Sequence, residues 1–78
     1  MSTVDLLVAE VGSTTTVVNA FVGVGTPTPK FIGQGQAPTT VLDGDVTVGV
    51  ENATEDLRDN LGWDEIEWGE MLATSSAA

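Results

Sequence analysis

The chain has 78 residues, with Lys30 and Arg58 as its only cationic side chains against twelve carboxylates, a formal charge of −10, and no Cys, His or Tyr. Without thiol or imidazole it makes no disulfide, no Cys/His zinc site and no Ser-His-Asp, Cys-His or histidine acid–base pair. That charge repels a nucleic-acid backbone and opposes adsorption to an anionic membrane, while an apolar share of 41 % sets the chain apart from disordered acidic tails.

At this length there is one domain at most. A chain so short hides only about 60 % of its unfolded surface and is marginal without staples, so a piece of something larger is the natural expectation. No stretch approaches the roughly 20 apolar residues of a membrane-spanning helix. Met1-Ser2-Thr3-Val4-Asp5 lacks the positive start of a secretory signal, which points to the cytoplasm.

In chain order, Val4 to Val11 (VDLLVAEV) is a nearly continuous apolar run, as in a strand covered on both faces. Gly12-Ser13-Thr14 breaks it, and Thr15 to Val22 (TTVVNAFV) resumes with dense β-branched residues, so the two runs form a β-hairpin. Gly23 to Pro29 is a loop by its glycines and prolines. Lys30 to Gly35 (KFIGQG) is a short third strand, in which Gly33 and Gly35 mark a bulge or a close backbone approach. Gly33-Gln34-Gly35 has the look of a G-x-G nucleotide loop, but no helix opens directly behind it and no third glycine follows, so a bulged strand end is preferred. Gln36 to Gly44 is loop-like.

From Asp45 the period changes from two to about 3.6: Val46, Val50, Ala53, Leu57 and Leu61 share one face, and Glu51, Asn52, Glu55, Arg58 and Asp59 fall elsewhere. This is one amphipathic helix. Asp43 or Asp45 caps its start, and Asn60-Leu61-Gly62 ends it with glycine in the left-handed position. Asp43, Asp45 and Glu51 lack the ligand spacing of a calcium loop, so capping is preferred to a metal site. Residues 63 to 70 (WDEIEWGE) read as an acidic link whose Trp63 and Trp68 either pack back on the sheet or anchor a partner; Met71 to Ala78 begins a fourth strand. The closing Ser75-Ser76-Ala77-Ala78 reads as a cut.

The turn Glu10-Val11-Gly12-Ser13-Thr14-Thr15-Thr16 holds the most chemistry. A glycine turn rich in hydroxyls between two strands offers backbone N–H groups and Oγ atoms to phosphate oxygens, and a carboxylate at the end of the first strand can hold Mg²⁺ directly or through its waters. The plain alternative is a Thr-rich hairpin with no ligand.

The segment LLVAEVGSTTTVVNAF resembles the first phosphate loop of the acetate and sugar kinase, Hsc70 and actin superfamily, in which a strand, D-x-G-[ST]-[ST] and a second strand enclose nucleotide phosphates. With FIGQGQAPTTVLDGDVTVGVENATEDL and EMLATSSAA, the chain looks closer still to one branch, the MutL or GlmL accessory protein of methylaspartate (glutamate) mutase, which is unrelated to the mismatch-repair protein. That resemblance implies an ATPase-like reactivating or chaperone factor for an adenosylcobalamin-dependent mutase, with ATP and Mg²⁺ as cofactors, mutase subunits as partners, and no cobalamin bound by this segment.

It also implies an α/β fold with a mixed sheet: residues 1–78 as the N-terminal part of a single ribonuclease-H-like, actin-like lobe, with a hairpin, a third strand, one helix and the start of a fourth strand. Gly12, Ser13, Thr14 and Thr15 carry over as phosphate-loop residues, and Glu10 as the catalytic, metal-binding carboxylate in place of the usual Asp. Val17 stands where many kinases carry Lys or Arg, so nucleotide binding with slow or no phosphoryl transfer fits better than a kinase. The lone segment is expected to be inactive and prone to self-association. The competing expectation is a small acidic interaction module that binds protein and no nucleotide.

Overall fold

The computed structural model describes residues 3–39 and 47–75. It is an α/β arrangement of one helix on a mixed four-stranded sheet. β1 (Thr3–Val11), β2 (Thr15–Val22) and β3 (Lys30–Pro38) form an antiparallel meander, α1 (Thr47–Leu61) follows, and β4 (Glu67–Ser75) pairs in parallel with β1, giving the order β3-β2-β1-β4.

The hairpin is as the sequence implies, with Leu6↔Phe21 through Val11↔Thr16 in register. The third strand runs on from Gly35 to Pro38, because Gln36, Ala37 and Pro38 find partners in Val17, Thr16 and Thr15. Its irregularity sits between Ala20 and Phe21, where the pairs Ala20↔Gly33 and Phe21↔Phe31 leave Ile32 over. This is a one-residue bulge.

Gly33 and Gly35 mark the close backbone approach of the two expected alternatives, not the bulge: they are where α1 lies against the strand. A Cβ on Gly35 would run into the Ala53 carbonyl and the Leu57 amide and sit 2.7 Å from Leu57 Cα; one on Gly33 would come 2.9 Å from Leu61 Cδ2. The absent side chains let the helix backbone descend onto β3, so Ala53 and Leu57 complete a core with Val4, Leu7, Ala9, Val18 and Ala20.

α1 ends as the sequence suggests. Gly62 has φ +72°, its N–H donates to the Asp59 carbonyl (3.1 Å), and the Trp63 N–H donates to the Arg58 carbonyl (3.1 Å). These are the two hydrogen bonds of a Schellman motif. Asp43, Asp45 and Val46 lie outside the described residues.

The acidic link is shorter than its composition suggests: β4 starts at Glu67, so Glu67 to Glu70 belong to the strand, beside Thr3 to Leu6. Within β1 the inward side chains are Leu7, Ala9 and Val11, yet Val4 is buried as well. The alternation therefore changes phase between Val4 and Leu7, while the parallel register with β4 keeps one offset from Thr3↔Glu67 to Val11↔Ser75. The exposed Asp5 carboxylate accepts from the Gly23 and Val24 amides (2.5 and 3.3 Å), tying the start of β1 to the loop after β2.

Candidate functional site

Period-two alternation decides which residues meet at the open face of the sheet. Ala9 and Val11 turn towards the core and α1, so Glu10 between them points the other way and is exposed. Register then assembles a row across all four strands: Gln36↔Val17, Val17↔Glu10 and Glu10↔Thr74. Below it lies a second row, Gln34↔Asn19, Asn19↔Val8 and Val8↔Leu72, held at one end by a Gln34 Nε2 to Asn19 Oδ1 hydrogen bond of 2.7 Å.

Just above Glu10 the hairpin turns. Gly12 N–H donates to the Thr15 carbonyl (3.0 Å), so Ser13 and Thr14 are the two residues of the loop, and both are exposed together with Thr15. Gly12 is not among the positive-φ glycines, which are Gly23, Gly25 and Gly62 in the described residues. Its amide closes the turn, leaving Ser13, Thr14 and Thr15 at the tip.

The turn is braced from the side. Thr39 N–H donates to the Thr14 carbonyl (2.9 Å), and the Thr39 hydroxyl shares a 2.8 Å hydrogen bond with that of Thr16, which is fully buried. A cleft of about 310 Å³ opens between the turn and the end of β3, lined by Thr14, Thr15, Gln36, Ala37 and Pro38. It carries no acidic residue in a chain of charge −10. Gln36, Thr39 and Thr74 were not legible as neighbours of the turn, because only strand pairing brings them there.

The predicted residues thus fall together: Glu10 one residue before the end of β1, Gly12 closing the turn, Ser13, Thr14 and Thr15 over its tip. Asp43 and Asp45 lie outside the described residues. Among the described residues there is no group of three or more His, Cys, Asp or Glu side chains that could hold a metal ion.

A larger cleft, about 550 Å³, lies on the opposite face between α1 and β4, because α1 packs on β2 and β3 rather than over β4. Val50, Ile66, Trp68 and Met71 line it and Glu51, Glu55, Asp64 and Glu65 surround it. Trp63 packs against the core, whereas Trp68 is 41 % exposed in this cleft, so the two tryptophans have separate environments.

The family model described as MutL protein matches residues 6–78. The chain belongs to the MutL protein family. That span takes in the hairpin, its turn, α1 and β4, so the whole of the site lies within the matched region. Membership associates the chain with a mutase accessory role. No curated protein and no solved structure matches the chain. Among the described residues no helix is long and apolar enough to cross a membrane.

Proposed function

We propose that the Glu10–Thr15 turn is the first phosphate-binding loop of a nucleotide-binding accessory or reactivating factor, acting on an adenosylcobalamin-dependent mutase. The observation that carries this is the exposed, braced turn with a carboxylate in the strand leading into it: Thr14 and Thr15 line a cleft with no charged lining residue, Ser13 is exposed beside them, and Glu10 is exposed two residues before Gly12. Phosphate oxygens accept from such donors without any cation on the protein. ATP is the nucleotide.

The donor set fits Mg²⁺. Glu10, Thr15 and Thr74 offer oxygen only, and a single carboxylate suits an ion that keeps several of its waters and takes further oxygens from phosphate. Glu10 would hold it, and bound there it would neutralise phosphate charge. The chain's own residues do the rest: the turn orients the phosphates, and Val17 presents no ammonium or guanidinium to a transferring group. Binding with slow or no transfer follows.

Calorimetric titration of the protein with Mg·ATP, wild type against Glu10→Ala, tests this. An affinity loss of about tenfold or more is expected; equal affinities would sink the assignment of Glu10. The competing role, an acidic module that binds protein and no nucleotide, draws on the Trp68 cleft and its acidic rim. It replaces the first if wild-type protein fails to bind Mg·ATP.

A further inference from the structure

Glu10 is the only acidic side chain in its cross-strand row, and its two registered partners are chemically unlike. On one side Val17 offers it no polar atom. On the other, Thr74 of β4 lies directly opposite in a parallel pair, and both Thr74 and Glu10 are exposed on the face away from α1. Neighbouring strands run about 4.8 Å apart, and registered side chains point to the same side, which puts a hydroxyl within rotamer reach of the carboxylate.

A lone carboxylate on a flexible, exposed side chain is a poor holder of a hydrated cation unless something fixes its orientation. Groups that hydrogen-bond a metal-binding carboxylate, or the waters between it and the ion, do that, and their loss typically lowers affinity 10- to 100-fold. We infer that Thr74 is the positioning residue for Glu10: its hydroxyl donates to the carboxylate or to a water bridging it to Mg²⁺, making β4 a part of the metal–nucleotide site. This rests on the nucleotide-binding reading of the turn.

The test separates hydroxyl from shape. Thr74→Val keeps the β-branched outline and removes the donor; Thr74→Ser keeps the donor. Titrating each with Mg·ATP, and with ATP in EDTA, should show roughly tenfold weaker Mg·ATP binding for Thr74→Val, unchanged metal-free ATP binding, and Thr74→Ser within about twofold of wild type. Equal losses with and without metal in Thr74→Val overturn the inference. So does wild-type affinity in Thr74→Val alongside a weakened Glu10→Ala, an outcome that leaves the nucleotide reading standing. Failure of wild-type protein to bind Mg·ATP overturns both.

Discussion

At the residue scale, Gly35 shows how little of a contact can be read from the residue that makes it. Two glycines around Gln34 do signal that something comes close to the backbone, and the bulged strand end was the natural interpretation. The bulge belongs instead to Ile32, while Gly35 is a seat for Ala53 and Leu57, eighteen and more residues away. Nothing in the local spacing names that partner. Because the obstructing atoms are helix backbone, which cannot swing aside, Gly35→Ala should force α1 off β3 and cost about 1–3 kcal/mol or more, visible as a lowered urea midpoint. Wild-type stability in that variant would show that the helix sits elsewhere. The Thr16–Thr39 hydroxyl pair is a milder case: Thr16→Val strands one partner in a part-buried position and should cost on the order of 1 kcal/mol, measured the same way.

Elements were legible where local chemistry decides them. The hairpin follows from dense β-branched residues either side of a glycine turn, and the helix end follows from Gly62, whose φ of +72° is available to glycine at little cost. Gly62→Ala should therefore lower stability by about 1 kcal/mol without altering the sheet, a difference that thermal melts followed at 222 nm resolve. The start of β4 was not legible. Glu67-Trp68-Gly69-Glu70 has the composition of a linker, and what makes it a strand is the edge of β1, which supplies hydrogen bonds to any chain laid along it. An edge strand tolerates charge because much of it stays wet, so composition and structure disagree there for a physical reason. The site divides the same way: Glu10 and the turn are contiguous and could be read directly, whereas Gln36, Thr39 and Thr74 reach it only through strand register.

Across the whole molecule, twelve carboxylates and two cations leave a net charge that self-repulsion sets against compactness. The ion pair between Arg58 and Asp59, 3.0 Å long and exposed at Asp59, does little to offset it. Raising NaCl from about 10 mM to 0.5 M shortens the screening length from about 30 Å to a few ångströms, so the melting temperature should rise by several degrees. A fall would mean that attractive charge pairs dominate. Screening should also favour association, since Leu72, Phe31, Val24 and Trp68 remain exposed; sedimentation at the two salt concentrations would report it.

The placement of Glu10 and the α1–β4 cleft on opposite faces of the sheet gives the protein an internal optical control. Both indoles lie with the helix side or the core, and Trp68 sits in the cleft beside Met71, while Glu10 faces the other way. A small molecule at the turn should leave the fluorescence nearly silent, and an occupant of the α1–β4 cleft should shift the Trp68 emission to the blue. A single titration, read by heat and by light together, thus reports which side of the sheet has been engaged.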